Sequence, residues 1–367
     1  MGYQICSRCI MDTTDPDIVF DQDGVCNHCH RYDQIKTTRF IPETEKASRL
    51  KDLVDTMKFS GSKNKYDCII GVSGGVDSTY VAYLTRKLGL RPLAVHFDNG
   101  WNSELAVSNV EKFLKKLDID LYTHVVDWEE FKNLQISFLK SSTPDAEIPT
   151  DHAIIAILFK LAAKFNVKFV INGHNYSTES ILPVKWGYGY YDSTYLKNVH
   201  RKFGSTKLKT TPIMPLWQLF YYTQIRRIRL VSILNYINYN KKEAMNVLQN
   251  ELDWVYYGGK HYESIYTRFF QAYILPKKFN IDKRKAHLSS LIISGQMTRD
   301  QALEEMKNPV APEDILNQDR DYAIKKLGLT NLEFEAIMNA PTKTFLDYKT
   351  EYSLMERVKK LRKYLHF

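Results

Sequence analysis

The stretch Ser73-Gly74-Gly75-Val76-Asp77-Ser78 follows an apolar run, Cys68-Ile69-Ile70-Gly71-Val72, and precedes an amphipathic segment at residues 79–88. This order predicts a strand, a tight turn and a helix. The two glycines allow the turn to bring successive N–H groups together at the helix N-terminus, where Ser73 and Ser78 add hydroxyls. Such a cradle suits pyrophosphate. Because Asp77 would repel phosphate without an intervening cation, we interpret it as a direct or water-mediated Mg²⁺ ligand.

The same six residues resemble the PP-loop of the N-type ATP pyrophosphatases, whose pattern is Ser-Gly-Gly-x-Asp-Ser. The resemblance implies an enzyme that cleaves ATP between its α and β phosphates and adenylates a carbonyl-type oxygen, after which a nitrogen or sulfur nucleophile displaces AMP. A Walker loop is excluded because the sequence has no Gly-x-x-x-x-Gly-Lys-Ser/Thr. An ordinary glycine-rich turn is the alternative. The candidate ATP ligands are Ser73, Gly74, Gly75, Asp77 and Ser78, of which Ser73, Asp77 and Ser78 are also candidate catalytic residues.

Short apolar segments alternate with helical patterns through the first half of the chain. Strands are predicted at residues 67–72, 91–97, 121–126 and 167–172, with helices at residues 103–117 and 151–165 between them. This alternation predicts an α/β fold with a doubly wound parallel sheet. Ligands of such sheets bind beyond the carboxyl ends of the strands.

Two of these strand ends carry candidate nucleotide contacts. Asp98-Asn99-Gly100 resembles the adenosine-binding turn of the superfamily, and Gly173 resembles the small residue that lets the nucleotide approach closely. Phe97, Asp98 and Gly173 are therefore candidate ATP-binding residues. A turn formed by Asp-Asn-Gly for purely conformational reasons is the alternative.

Residues 141–152 form a predicted loop that enters a helix, with Thr150 or Asp151 as the expected N-cap. The loop carries Asp145 and Glu147, and Asp151 and His152 follow. We take Asp151 and His152 as candidate catalytic groups for proton transfer from an attacking amine, or as a second metal contact. His152 as a mere first-turn residue is the alternative.

Four of the five cysteines form two CxxC pairs, Cys6/Cys9 and Cys26/Cys29, separated by sixteen residues. This spacing is typical of a tetrahedral structural zinc site with all four ligand positions filled. A redox CxxC is disfavoured because the pairs form a matched set, whereas an iron–sulfur site stays open. The chain has neither the pattern of a signal peptide nor an apolar run long enough to span a bilayer, so we expect a cytoplasmic protein without membrane association.

The net charge of +9 is concentrated in one segment. Residues 183–242 contain eleven Lys or Arg, eight Tyr and a single acid, Asp192, which leaves the rest of the chain near neutrality. A polyanion-facing segment is indicated. RNA, a nucleotide-linked sugar and an ordinary solvated basic helix all stay open as explanations.

These patterns divide the chain into four regions. We expect a zinc-binding arm at 1–36, a linker helix at 37–65, a PP-loop α/β domain at 66–182 and a mainly helical, basic region at 183–367. The last region contains Trp254-Val255-Tyr256-Tyr257-Gly258-Gly259, which suits either a sugar or nucleotide contact or an aromatic core corner. The candidates for holding substrate phosphates or a carboxylate are Lys185, Lys260, Arg268 and Arg284.

Taken together, the CxxC pairs, the PP-loop, the segment at 142–153 and the segments at 254–264 and 278–299 resemble the N-acetyl sugar amidotransferases. That resemblance runs nearly end to end. It implies conversion of the acetamido group of a nucleotide-linked sugar acid into an acetamidino group, in O-antigen, capsule or flagellar glycan pathways, with ATP, Mg²⁺ and structural Zn²⁺. It also implies separate subunits that supply ammonia, resembling the glutaminase and cyclase of imidazole glycerol phosphate synthase.

Two other functions compete with this interpretation. A tRNA-modifying PP-loop enzyme of the thiolase kind would explain the basic segment, but once four cysteines bind zinc only Cys68 is left to carry sulfur. We therefore expect nucleic acid not to be the partner. A nucleotide-binding module without catalysis is the third hypothesis, and the effect of Asp77→Ala on turnover discriminates it.

Overall fold

The computed structural model describes residues 2–259 and 262–364. Its strands form one parallel sheet in the order β3-β2-β1-β4-β5. Their bounds are β1 (Cys68–Gly71), β2 (Pro92–Asp98), β3 (Asp120–Val125), β4 (Phe169–Asn172) and β5 (Arg229–Ser232). The strand order reverses between β1 and β4, so the crevice expected of a doubly wound sheet opens beside the end of β1.

Helices cover both faces of the sheet and make up most of the C-terminal half. Those of the first half are α1 (Asn27–Arg39), α2 (Glu43–Gly61), α3 (Val76–Lys87), α4 (Glu104–Leu117), α5 (Trp128–Ser141), α6 (Ile148–Lys164) and α7 (Tyr176–Glu179). They are followed by α8 (Ser193–Phe203), α9 (Leu216–Phe220), α10 (Lys241–Leu252), α11 (Ile265–Phe269), α12 (Leu275–Phe279), α13 (Arg284–Ile293), α14 (Arg299–Lys307), α15 (Glu313–Leu327), α16 (Asn331–Asn339) and α17 (Tyr352–Tyr364). Short π-helical turns at Tyr221–Ile225 and Phe270–Ile274 continue α9 and α11, and 3-10 turns lie at Val184–Trp186, Ile233–Tyr236 and Phe345–Asp347.

The sheet is buried on both faces because its strands are continuous apolar runs. Ile69 packs in a cluster with α6, whereas its neighbour Ile70 packs in a second cluster with α3 and α4. Alternate side chains of a strand point to opposite faces, so β1 connects the two cores. The predicted α/β fold with a doubly wound parallel sheet is confirmed.

Two details of the prediction are wrong. The α/β pattern does not end at residue 182, because Arg229–Ser232 forms β5 and pairs in parallel with β4. The helix expected to begin at Thr150 or Asp151 begins at Ile148, with Pro149 in its first turn and without a side-chain cap. Capping boxes open two of the later helices, with Thr298 as the N-cap of α14 and Thr330 as the N-cap of α16.

The cysteine arm is integrated with the C-terminal half. Helix α1 begins inside the second CxxC pair, and the four cysteines share a core cluster with residues of α5, α8, α12 and α16. The mainly helical character of the region after β4 is confirmed. Among the described residues, no helix is both long enough and apolar enough to cross a membrane.

Candidate active site

The PP-loop lies between the end of β1 and the start of α3. Gly75 is the N-cap residue of α3 and has no side chain to cap it, so the helix N-terminus, with its partial positive charge, lies at the PP-loop. Ser73 and Ser78 lie with their Oγ atoms 3.2 Å apart, and the Gly75 N–H donates to Ser73 Oγ at 3.3 Å. Backbone donors and two hydroxyls therefore converge on one point, as an anion site requires.

Glycines make this cradle sterically feasible. Gly74 has φ +85°, and a Cβ there would lie 2.8 Å from the Ala106 carbonyl oxygen. A Cβ on Gly173, at the tip of β4, would lie 3.0 Å from the Asp77 Cβ. The loop and the β4 tip therefore approach each other more closely than larger residues would allow.

Residues far along the chain hold the loop in place, which the sequence did not predict. The Tyr239 hydroxyl donates to Asp77 Oδ1, and the Trp254 indole N–H donates to the Gly74 carbonyl at 2.9 Å. Tyr257 accepts a hydrogen bond from the Val76 N–H. The segment that begins at Trp254 is thus partly an aromatic core corner and partly a wall of the PP-loop.

Three adjoining cavities lie at the PP-loop or beside it, and two of them are lined by PP-loop residues. The first, of about 420 Å³, lies between α13 and the loop at 256–259; the second, of about 210 Å³, lies over the PP-loop; the third, of about 560 Å³, lies beyond the ends of β1, β2 and β4. We call them the α13 cavity, the loop cavity and the sheet cavity. The loop and sheet cavities share Ser73, Ser78 and Gly173, so a ligand of the sheet cavity can reach the loop.

The sheet cavity has the lining expected for a nucleoside. Its inner wall is apolar and is made by Gly71, Val72, Val95, Phe97, Ile154, Ile157 and Leu158. A planar base can pack against such a wall while its phosphates extend to Ser73 and Ser78. Phe97 and Gly173 therefore lie where a nucleotide would contact them.

Acidic side chains line the loop cavity. Asp77, Glu179 and Glu263 face the space where pyrophosphate would lie, together with Lys241. Phosphate cannot approach three carboxylates without a cation between them, so the donor set suits Mg²⁺, a hard ion that takes oxygen ligands. Bound there, Mg²⁺ would neutralise charge on the phosphates, and Asp77 is the residue placed closest to the anion cradle.

A second acidic group lines the sheet cavity. Asp151 lines this cavity with Glu147 and Lys283, whose Nζ lies 3.7 Å from Glu147 Oε2, and Gln271 donates to the same oxygen at 2.8 Å. Burial first, then the charges of Glu147 and Asp145, raise the pKa of Asp151 well above its usual range. Burial likewise raises the pKa of Asp145 to about 6. Carboxylates in this state can accept a proton near neutral pH.

His152 and Asp98 line none of the three cavities. His152 is 1% exposed, its Nδ1 lies 2.8 Å from the Tyr190 carbonyl, and its Nε2 accepts from the Met214 N–H at 3.0 Å. It is thus a neutral core residue, with a pKa that burial lowers, and not a catalytic group. Asp98 accepts the Gly100 N–H at 2.9 Å within its own turn, as the conformational alternative requires.

The four basic candidates fall into three groups. Arg268 and Arg284 line the α13 cavity, where each is paired with a carboxylate, Arg268 with Asp319 and Arg284 with Asp282. Lys185 lies instead at the arm, 2.6 Å from Asp17. Lys260 lies outside the described residues.

The four cysteines converge as the spacing predicts. All four sulfurs lie within 4.8 Å of one another, and three of the Sγ–Sγ distances are 3.7, 3.8 and 3.9 Å. A regular tetrahedron with metal–sulfur distances of about 2.3 Å has an edge of about 3.8 Å. Cys6 Sγ also accepts N–H groups of Arg8, Cys9 and Cys26, which stabilise a thiolate. The donor set therefore fits one tetrahedral ion such as Zn²⁺.

Two family models match separate parts of the chain. Residues 67–170 match the family model of the queuosine biosynthesis protein QueC, and residues 263–362 match the C-terminal domain of LPS biosynthesis proteins like WbpG. The chain thus joins a PP-loop domain of the ATP pyrophosphatase type to a WbpG-like C-terminal domain. The predicted resemblance is confirmed at the level of these two domains.

Individual proteins resemble only parts of the chain. The tRNA-specific 2-thiouridylase MnmA 2 of Fusobacterium nucleatum is 31% identical over 118 residues, which are 30% of this chain and 34% of that protein. The chain thus spans about a third of the length of this curated relative. Among solved structures, NMN synthetase from Francisella tularensis is 16% identical with a TM-score of 0.34, covering 78% of this chain and 97% of that one. The NH3-dependent NAD synthetase from Campylobacter jejuni is 15% identical with a TM-score of 0.29, covering 56% and 84%.

Proposed function

We propose that this PP-loop enzyme is an ATP-dependent amidotransferase that converts the acetamido group of a nucleotide-linked N-acetyl sugar, or sugar acid, into an acetamidino group. The observation that carries the proposal is the arrangement of three adjoining cavities around the PP-loop. The sheet cavity would hold ATP, the loop cavity its departing pyrophosphate and the α13 cavity the sugar. Because the α13 and sheet cavities share Gln271, Lys283 and His287, the acetamido group of a sugar in the first would lie beside the α phosphate of ATP in the second.

The chemistry explains why ATP is needed. An amide oxygen leaves poorly, so ammonia cannot replace it directly. Attack of that oxygen on the α phosphate breaks the bond to the β phosphate and gives an O-adenylated imidate with release of pyrophosphate. Ammonia then adds to the imidate carbon, AMP leaves with the former amide oxygen, and the surplus proton passes to a base.

Residues of this chain fit those steps. The N–H groups at the start of α3, with Ser73 and Ser78, would stabilise charge on the departing pyrophosphate. Asp77 would hold Mg²⁺ at the phosphates. Asp151 would accept the proton of the attacking amine, because its raised pKa suits a base near neutral pH.

The α13 cavity has walls suited to a sugar. Tyr256 and Tyr262 provide aromatic faces, while Gly258 and Gly259 expose backbone donors and acceptors beside them. Arg268 and Arg284 keep positive charge in the cavity, although their carboxylate partners reduce it. We infer that these two arginines contact the nucleotide or the carboxylate of the sugar.

The test is release of AMP and pyrophosphate from Mg-ATP and ammonium chloride, with UDP- and CMP-linked N-acetylated sugars compared with bulk tRNA. An acceptor labelled with ¹⁸O in its amide should yield ¹⁸O-labelled AMP and an unlabelled amidine. Label retained in the sugar would contradict the proposal, and so would turnover with tRNA alone.

Modification of tRNA is the second candidate, favoured by the 2-thiouridylase relative and by the basic segment. Sulfur transfer through this chain is disfavoured because Cys68 is fully buried in β1 and burial raises the pKa of its thiol. Thiolates, not thiols, are the reactive form. Binding of tRNA would moreover weaken steeply as salt is added, whereas acceptor turnover should not.

We also propose that ammonia comes from a separate glutaminase subunit, accompanied by a cyclase-like subunit. An exposed apolar stripe within the basic segment supports this, because Trp217, Phe220 and Ile225 lie 71%, 59% and 64% exposed on α9 and the π-helical turn that continues it. Exposed Arg227 and Arg229 flank the stripe, whereas the single acid of residues 183–242, Asp192, is buried. Aromatic and arginine side chains of this kind suit an acidic partner surface.

Replacement of Trp217 and Phe220 by serine is therefore expected to abolish glutamine-driven amidine formation in the reconstituted complex. Turnover driven by ammonium chloride should persist, since neither residue lines the three cavities. Phe59→Ser, which removes an aromatic side chain 84% exposed on α2, is the control. Equal loss with glutamine and with ammonium would place the defect in the fold and contradict the proposed surface. Full glutamine-driven activity of the isolated chain would contradict the partner itself.

A further inference from the structure

One face of α13 belongs to the cavities around the PP-loop. Arg284, His287, Leu288 and Leu291 line the α13 cavity, and Ala286 and His287 line the sheet cavity. The position of α13 therefore determines the shape of the α13 cavity and of the sheet cavity where the two adjoin.

The chain that follows the first cysteine pair packs directly against this helix. The Ile10 N–H donates to Ser289 Oγ at 3.1 Å, and Lys285 on the next turn toward the N-terminus pairs with Asp12. Ile10 is 1% exposed and packs on Leu288, which itself lines the α13 cavity. A single layer of side chains thus separates the arm from the cavity.

A third contact joins the same part of the arm to the start of α14. Arg299 donates from Nε to the Cys9 carbonyl and from Nη2 to the Cys6 carbonyl, each at 3.0 Å. The groups in contact therefore belong to residues 6–12, the loop that carries two of the four sulfurs. Among the described residues of the arm, β-type pairing is limited to two isolated bridges, Ile5 with Asp12 and Phe20 with Cys26.

We propose that a metal ion bound by the four cysteines positions α13, and through it the sugar-binding side of the active site. Ser289 and Arg299 are the positioning residues, since each bonds to backbone whose course the metal ligands fix. Short segments with so little regular structure depend on their metal to fold. Loss of the ion would free Ile10 and remove one support of the α13 cavity, while the sheet cavity keeps its own core. The inference takes the α13 cavity as the acceptor site, and in that part it rests on the proposed function.

The first test is hydrogen exchange measured by mass spectrometry, together with the metal content of each variant. Cys9→Ser should lose the ion, and peptides covering 284–293 should exchange faster while those covering β1 stay protected. Cys68→Ala, which alters a buried cysteine outside the cluster, should retain the ion and the protection of α13. Unchanged exchange at 284–293 in a metal-free Cys9→Ser protein would overturn the proposal.

A second pair of variants keeps the test decisive if Cys9→Ser unfolds the whole chain. Arg299→Gln should retain the ion yet exchange about tenfold faster at 284–293, in keeping with the loss of hydrogen bonds made by a charged group. Lys307→Gln, on the exposed side of the same helix α14, is its control. Arg299→Gln with wild-type exchange at α13 would overturn the proposal.

Kinetics then separate this inference from the proposed function. Arg299→Gln should raise the KM for the nucleotide-linked sugar several-fold and leave the KM for ATP unchanged. A purely structural defect would change both constants. If no sugar is turned over, the proposed function fails, and the exchange data still decide whether the arm positions α13.

Discussion

Asp77→Asn is expected to lower the rate of pyrophosphate release by roughly 10²–10³-fold, the range found when one group that stabilises developing charge is removed. The asparagine keeps an oxygen that can accept the Tyr239 hydroxyl but lacks the charge that holds Mg²⁺. The cradle itself is formed by Ser73, Gly75 and Ser78, so ATP binding should weaken much less than turnover. A coupled pyrophosphate assay and equilibrium dialysis with ATP measure the two quantities.

Asp77→Ala separates the metal from the hydrogen bond. It removes the charge and also leaves the Tyr239 hydroxyl, on a side chain 5% exposed, without that partner, so it should be less stable than Asp77→Asn. Asp55→Ala on the exposed face of α2 is the control and should match wild type in both assays. Turnover within about twofold of wild type in Asp77→Asn would contradict the assigned role of Asp77. Full ATP binding without turnover in the wild-type chain would favour the nucleotide-binding module.

The positions of strands β1 to β4 and of the PP-loop along the chain could be predicted because their signals are local. Cys68–Gly71 is apolar on both faces, and the glycines that follow permit the turn that a phosphate cradle needs. Strand β5 could not be predicted in the same way. It has four residues, begins with Arg229 and lies within a basic segment, and its pairing with β4 arises from tertiary contacts.

The residues of the candidate site could likewise be predicted from the sequence only in part. The sequence selected Asp151 and His152 together, but adjacent helical residues point about 100° apart, so that Asp151 faces the cavity and His152 the core. Tyr239 and Trp254 reach the loop from 162 and 180 residues away, and no spacing rule connects such pairs. The two CxxC pairs could be predicted because four identical ligands and one ion define a geometry that spacing alone reveals.

Asp151→Asn is expected to uncouple adenylation from amination. Asparagine cannot accept the proton of the attacking amine, so kcat/KM for ammonium should fall by about 10²–10⁴-fold, the usual contribution of a general base. Adenylation uses the PP-loop and should continue, and water should then hydrolyse the imidate back to the amide. The measurement is the ratio of amidine to AMP, which should approach one in wild type and fall in the variant.

The raised pKa of Asp151 determines the direction in which the amination rate should change with pH. Only the carboxylate form of Asp151 is a base, and burial with the charges of Glu147 and Asp145 raises its pKa, so amination by wild type should increase as pH rises through that raised pKa. Asp145→Asn removes one of those charges and lowers the pKa of Asp151, which should move the increase to lower pH. The fraction of free ammonia also changes with pH, but equally for all variants. Dividing each rate by the rate of Asp151→Asn at the same pH removes this effect. An Asp151→Asn enzyme that keeps both the wild-type ratio and the wild-type pH profile would exclude Asp151 as the base and leave Glu147, which lines the same cavity, as the next residue to replace.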